Sequence, residues 1–218
     1  MILRVKQGTF LHNIMRNNCI VVASLGRSGS TLLYNSILEI IGYHFGEPML
    51  INNLDDCEYQ KGAIYKTHDF PPDNPPNHAK FIWTFADPYE IVISVLRQEQ
   101  KDGIGWIKEH FKYLNGNLNR YDDIFDYDAM RLEEHFTRWY GEQNLDLLTI
   151  KYKSMWDYQK QLSQFVGNYI DLPTFNDRGK RFNQLEEDKQ EKLVDTYSEL
   201  YNKIENAKDF NIIKGDYL

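Results

Sequence analysis

CIVVASLGRSGSTLL, residues 19–33, passes from an apolar run through a Gly- and Ser-containing loop into the start of a helix-like pattern. Residues 19–25 form an apolar, partly β-branched run, which is typical of a buried parallel strand. Gly26 then indicates a tight turn, and a helix is predicted to begin at Ser30 or Thr31. The apolar positions of that helix recur at helical spacing, at Leu32, Leu33, Ile37, Leu38 and Ile41, and Gly42 is placed to end it.

The same alternation of strand and helix patterns continues along the chain. A Pro-rich turn at residues 71–76 separates two further strands, and Pro88 suits the first position of a helix. We therefore predict an α/β fold with a mainly parallel sheet flanked by helices, in one domain over residues 1–218. Ligands of such sheets bind beyond the carboxyl ends of the strands. The further predicted strands are residues 62–67, 80–86 and 145–152, and the helices are residues 88–98, 106–113, 129–140, 155–166 and 185–204.

Composition limits the kind of partner and the compartment. The 218 residues include 25 Lys and Arg against 32 Asp and Glu, a formal charge of −7, so no overall field favours nucleic acid or an acidic membrane surface. No apolar run reaches the roughly 20 residues of a membrane span, and residues 1–18 lack the apolar core of a secretory signal. The only two cysteines, Cys19 and Cys57, fit a reducing compartment, so we expect a cytoplasmic protein.

The loop between the first strand and the first helix has the composition of an anion site. Backbone N–H groups at a helix N-terminus converge on an oxyanion, and Arg27 supplies positive charge. Compared with the triphosphate pattern GxxxxGK[ST], the loop keeps Gly29 and Thr31 but has Ser24 and Ser30 in place of the first Gly and the Lys. We therefore expect a ligand with one phosphate and one further small group. The alternative is a Gly-Ser turn that merely joins strand to helix.

Lys66 and His68 follow the second predicted strand, at the sheet edge where ligands gather. An imidazole with a pKa near about 6.5 can remove a proton from an acceptor hydroxyl, and a lysine can stabilise charge on a leaving phosphate. No His or Cys recurs at the spacing of metal ligands, so we predict no metal. His44, His78, His110 and His135 are interpreted as capping or surface residues.

Two segments together resemble the sulfotransferase family. The family's PRSGST loop, which binds the 5′-phosphosulfate end of the donor, is matched by Gly26, Arg27, Ser28, Gly29, Ser30 and Thr31. The KTH segment of its cytosolic members, whose His is the catalytic base, is matched by Lys66, Thr67 and His68. The resemblance implies a P-loop NTPase-like three-layer architecture. It also implies 3′-phosphoadenosine 5′-phosphosulfate (PAPS) as the donor.

Two further family segments match in part. In the RxxxxxxxS segment that binds the 3′-phosphate of the donor, Ser94 matches the Ser, but Ala86 stands where the Arg is expected. Arg97, one helical turn beyond Ser94, is a candidate replacement. Near the C-terminus, Arg178, Gly179 and Lys180 resemble the basic, Gly-containing segment that folds over the donor.

These matches lead to one main hypothesis and two alternatives. The main hypothesis is in-line sulfuryl transfer to a small-molecule or carbohydrate hydroxyl or amine, with His68 as base and with Arg27 and Lys66 neutralising the leaving phosphate. The first alternative is a P-loop kinase with Asp87 as the magnesium carboxylate, although Ser30 in place of the Lys argues against it. The second is a non-catalytic nucleotide-binding or scaffold protein, which Ala86 keeps open.

Overall fold

One mainly parallel sheet of six strands organises the part of the chain that the computed structural model describes, residues 17–41, 49–177 and 181–213. In space the strands follow the order β2-β3-β1-β4-β5-β6, and β6 alone runs antiparallel to its neighbour. The strands are β1 Cys19–Ser24, β2 Met49–Ile51, β3 Ile64–Thr67, β4 Ala79–Phe85, β5 Asp146–Lys151 and β6 Phe210–Ile213.

Helices cover both faces of the sheet, which confirms the predicted α/β class. The helices are α1 Ser30–Ile41, α2 Pro88–Asp102, α3 Ile104–Tyr113, α4 Leu132–Gly141, α5 Gln159–Val166 and α6 Glu187–Asn206, with short 3-10 turns at Leu118–Asp123, Tyr152–Ser154 and Phe182–Gln184. One face of the sheet packs on α1 and α5, and the other face packs on α2, α3, α4 and α6. No helix of the described residues is long and apolar enough to cross a membrane.

Strand β1 lies at the centre of the sheet and is buried along its whole length. Ile20 and Val22 pack with α1 and α5, whereas Val21 and Ala23 face the layer formed by α2, α3, α4 and α6. Successive side chains of a strand point to opposite faces, so a strand covered on both faces is apolar at every position. This is the physical reason for the continuous apolar run at residues 19–25.

The register of the parallel strands brings their carboxyl ends to one edge. Ala23 of β1 pairs with Thr67 of β3, and Ser24 of β1 pairs with Thr84 of β4. The loop after β1, the segment after β3 and the first turn of α2 therefore begin at the same level of the sheet. The first turn of α1, Lys66, His68 and Ser94 line one cavity at this edge.

Several element boundaries differ from the sequence-based expectation. Strands β2 and β6 were not expected, because β2 has three residues and β6 is only partly buried and lacks an alternating pattern. Helix α5 was predicted to begin at residue 155 but begins at Gln159, because a 3-10 turn and further turns occupy the chain before it. Helix α2 begins at Pro88 as predicted but continues to Asp102. Gly42 and residues 1–16 lie outside the described residues.

Asp87 caps helix α2, and its replacement tests this account of the helix start. Its Oδ1 accepts hydrogen bonds from the backbone N–H groups of Tyr89 at 2.8 Å and Glu90 at 3.4 Å. We expect Asp87→Ala to lower the free energy of unfolding in urea by about 1 kcal/mol, because it removes the cap. Asp87→Asn keeps an acceptor oxygen and should lose much less. Equal losses in the two variants would contradict a capping role.

Candidate functional site

Three of the four residues 26–29, in the loop between β1 and α1, have a positive φ. Gly26 has φ +76°, Arg27 has φ +48° and Gly29 has φ +92°. Such torsions suit glycine but are uncommon for a side chain such as arginine. The loop leads into the first turn of α1, where the N–H groups of a helix start have no partners within the helix.

Ser28 fastens this loop to strand β4. Its hydroxyl donates a hydrogen bond to the backbone oxygen of Thr84 at 2.8 Å, and the side chain is fully buried. The backbone N–H of Leu25 donates to the same Thr84 oxygen at 3.0 Å. The Ser28 hydroxyl is therefore used to hold the loop in position.

Gly29 makes the closest approach in the loop. A Cβ atom at this position would lie 2.2 Å from Cδ2 of Tyr152, which follows strand β5. The Tyr152 ring thus lies directly on the loop backbone, and no larger residue than glycine fits under it.

His68 is bound to the end of strand β1. Its Nδ1 lies 2.8 Å from Oγ of Ser24 and 3.4 Å from the backbone oxygen of the same residue. A carbonyl oxygen can only accept, so we assign the proton of the neutral ring to Nδ1 and the lone pair to Nε2. The Ser24 hydroxyl in turn donates to Oγ of Ser30 at 2.9 Å.

The pKa of His68 lies well below its usual value. Burial is the main cause, and the neighbouring His110 and Lys66 lower the pKa further. Both effects disfavour the imidazolium, because a charge is costly to bury and like charges repel. The ring is therefore neutral at physiological pH, and one of its two nitrogens keeps its lone pair.

The side chains of Lys66 and Arg27 start at the same edge of the sheet but contact different helices. Nζ of Lys66 donates to Oγ1 of Thr31, at the start of α1, at 2.7 Å. Nε of Arg27 donates to Oγ of Ser94 at 3.1 Å, on helix α2. Burial and the charge of Arg27 both lower the pKa of Lys66.

A cavity of about 800 Å³ opens at this edge of the sheet. It is lined by most of the predicted site residues: Arg27, Gly29, Ser30, Thr31, Lys66, His68 and Ser94. Gly26, Ser28 and the exposed Arg97 do not line it. Arg178, Gly179 and Lys180 lie outside the described residues, although Asp177 and Arg181 on either side of them line the cavity.

Several lining residues were not singled out from the sequence. Helix α3 contributes one wall with Trp106, Glu109, His110 and Tyr113. The end of β5 contributes Lys151, Tyr152 and Lys153, which the rule that ligands gather at the carboxyl ends of strands could have identified. The α3 wall comes from a polar, aromatic stretch of sequence, and its position depends on how the helix packs.

His110 is the buried member of the α3 wall. Its ring stacks on Trp106 with centroids 4.5 Å apart and meets the His68 ring edge-on at 5.4 Å. Burial, Arg27 and Lys66 lower the pKa of His110 to about 3. The sequence-based interpretation of His110 as a capping or surface residue therefore missed a buried imidazole beside the predicted base.

No group of three or more His, Cys, Asp or Glu side chains suited to a metal ion occurs among residues 17–41, 49–177 and 181–213. The carboxylate of Asp87, the magnesium ligand of the kinase alternative, accepts hydrogen bonds from the backbone of α2. Burial raises the pKa of this carboxyl group.

No protein-family model matches this chain, and no curated protein matches it either. Among solved structures, the crystal structure of the mouse sulfotransferase SULT7A1 complexed with PAP is similar over 95% of this chain and 75% of that chain, with 18% sequence identity and a TM-score of 0.44. At this identity and TM-score, the likeness assigns neither an activity nor a binding site to the chain.

The fit between Gly29 and Tyr152 gives a test of the loop geometry. We expect Gly29→Ala to lower the free energy of unfolding by roughly 1–3 kcal/mol, because the new Cβ meets the Tyr152 ring and the backbone torsion is unfavourable for alanine. Gly105→Ala is the matched control, since nothing lies within 4 Å of the Cβ added there. Urea unfolding measures both, and a Gly29→Ala variant as stable as Gly105→Ala would contradict the observed loop.

Proposed function

We propose that this chain is a sulfotransferase that moves a sulfuryl group from PAPS to a hydroxyl or amine of a small-molecule or carbohydrate acceptor. The observation that carries the proposal is the neutral His68 with its Nδ1 held by Ser24, in the same cavity as the loop and Lys66. A base, a cation and an anion-binding loop within one cavity are the parts that such a transfer needs. The cytoplasmic location and the single domain stay predictions.

The cavity has room for the donor. A volume of about 800 Å³ lies within the roughly 300–1,000 Å³ that is usual for cofactor pockets. The first turn of α1, with Ser30 and Thr31, would bind the 5′ end of the nucleotide, and Gly29 lies beside it in the lining of the cavity. PAPS, when bound there, supplies the sulfuryl group and a phosphate as the leaving group.

Lys66 and His68 have different roles in the proposed reaction. Nζ of Lys66, held near the start of α1 by Thr31, stabilises negative charge at the phosphate end of the cavity. His68 accepts the proton that the acceptor hydroxyl or amine releases, and Nε2 is the atom that takes it because Nδ1 already carries one. Because the pKa of His68 is low, this base is unprotonated near pH 7.

Nucleotide binding separates the sulfotransferase from the kinase and scaffold alternatives. We expect 3′,5′-bisphosphoadenosine (PAP), the desulfated product, to raise the melting temperature by roughly 5–10 °C at 100 times its Kd, in the presence of EDTA. ATP with Mg²⁺ should give a much smaller rise, because Ser30 replaces the lysine of the triphosphate loop. A larger rise with ATP and Mg²⁺ would favour the kinase, and no response to millimolar PAP would favour the scaffold.

Replacement of His68 tests its role as base. With PAPS and a panel of p-nitrophenol, tyramine and glucosamine as acceptors, we expect His68→Ala to lower PAP formation by about 10²- to 10⁴-fold. The Kd for PAP, measured by calorimetry, should stay within about threefold of the wild-type value, because the base acts on the acceptor. His68→Gln, which retains a polar side chain, is a control for folding. Undiminished turnover in His68→Ala would remove the base assignment.

A further inference from the structure

Helix α3 carries His110 to the side of the cavity where the proposed base lies. Ile107 and Phe111 are buried in the core and anchor the helix. Trp106 and His110 are four residues apart, so their side chains are neighbours on the helix surface. Both line the cavity, and His110 is only 5% exposed. His110 therefore belongs to the wall of the cavity and not to the protein surface.

Three neighbours fix the position of the His110 ring. Trp106 stacks on it with the ring centroids 4.5 Å apart, and the ring of His68 meets it edge-on at 5.4 Å. A Cβ atom added at Gly26 would lie 3.4 Å from Nε2 of His110, so the ring also packs against the loop. The guanidinium carbon of Arg27 lies 5.5 Å from the ring centroid of Trp106. The His110 ring thus has little freedom to turn away from His68.

The contacts of His110 use its ring and not its Nε2 atom. This buried nitrogen has no hydrogen-bond partner among the described residues. Burial, Arg27 and Lys66 lower the pKa of His110 to about 3, so the ring is uncharged at neutral pH. An uncharged ring whose Nε2 has no partner acts on its neighbours through its shape and volume.

His68 depends on its neighbours for the exclusion of water. Burial is the main cause of its low pKa, and the groups that lower the pKa further are His110 of α3, Lys66 of β3 and His135 of α4. The pKa values of His110 and His135 are themselves low, about 3 and about 4, so both rings are neutral at neutral pH. Lys66 is therefore the cation of this set. At neutral pH His110 acts on His68 by excluding water and not by its charge.

We propose that His110 is a positioning residue for the base: its ring, backed by Trp106, closes the α3 side of His68, holds that ring against Ser24 and keeps water from it. The hydrogen bond from Ser24 restrains His68 at Nδ1, and the His110 ring restrains it from α3. A base is effective only while it is held within reach of the proton that it takes. The inference rests on the proposed function and adds a residue that acts on the acceptor through His68.

The test follows the titration of the His68 ring by NMR in the whole chain, with His68→Gln used to assign its signals. In His110→Ala, water reaches the ring, so the pKa of His68 should rise toward its ordinary value. Turnover of PAPS with p-nitrophenol should fall by about 10-fold or more, because the base is no longer held in position. Its activity should also decline from about pH 8 to about pH 6, whereas the wild type stays level, because only the unprotonated ring can act. The Kd for PAP should change by less than about threefold.

His110→Phe is the rescue variant, because it keeps an aromatic ring and removes the nitrogens. Turnover should stay within about threefold of the wild type, the pKa of His68 should stay low, and stability in urea should be no lower, since a buried nitrogen without a partner is removed. Loss of turnover in His110→Phe with an unchanged titration of His68 would contradict a positioning role. His78→Ala is the matched control: this histidine precedes β4, at the opposite end of the sheet, and should leave the titration of His68 unchanged.

The outcomes separate this inference from the proposed function. If His110→Ala leaves the titration and turnover of His68 unchanged, the inference is overturned and the sulfotransferase proposal stands. If the wild type transfers nothing from PAPS, yet the pKa of His68 rises in His110→Ala and stays low in His110→Phe, the proposed function fails and the packing role of His110 is supported. Trp106→Ala covers the case in which His110→Ala does not fold. It removes the support behind the His110 ring and should raise the pKa of His68 by less, and no rise there would overturn the inference.

Discussion

The hydrogen bond between Ser24 and His68 is the contact on which the rest of the site depends. Ser24 ends the central strand, His68 follows the neighbouring strand, and the Ser24 hydroxyl also reaches Ser30 at the start of α1. One buried hydroxyl thus joins two strand ends and a helix start. Buried hydrogen bonds of this kind are costly to break, because each freed polar group would lose its partner away from water. The contact fixes the ring of His68 and the path of the loop.

Burial is the main reason why the imidazoles of His68 and His110 stay neutral, and the nearby charges add to it. Arg27 and Lys66 lower the pKa of His110 further, and Lys66 also lowers that of His68. A cavity with cations at its walls and neutral rings between them attracts anions. The base that we propose at His68 is weak because its pKa is low, yet it is always available. Such a base suits a proton that leaves as the new bond forms, rather than a proton that must be removed beforehand.

The central strand of the sheet and the residues at its end could be predicted from the sequence, for a physical reason. The run at residues 19–25 is apolar throughout because β1 is buried on both faces, and Lys66 and His68 meet the loop because parallel strands end at one edge. The position of His110 was missed, since it depends on how α3 packs and no periodic pattern encodes that. The direction of Arg27 was missed as well, because it follows from a left-handed torsion and from contacts with a helix about seventy residues away along the chain.

Lys66 and Arg27 hold separate positions because they bind different elements. The ammonium group of Lys66 is bonded to Thr31 at the start of α1, whereas the planar guanidinium fork of Arg27 lies against α2. Ser94 and Gln98 already hold the fork in place, so little side-chain entropy remains to be lost on binding. The free protein therefore holds the guanidinium group of Arg27 against α2 and the ammonium group of Lys66 at the start of α1, so the two positive charges enter the cavity from different elements.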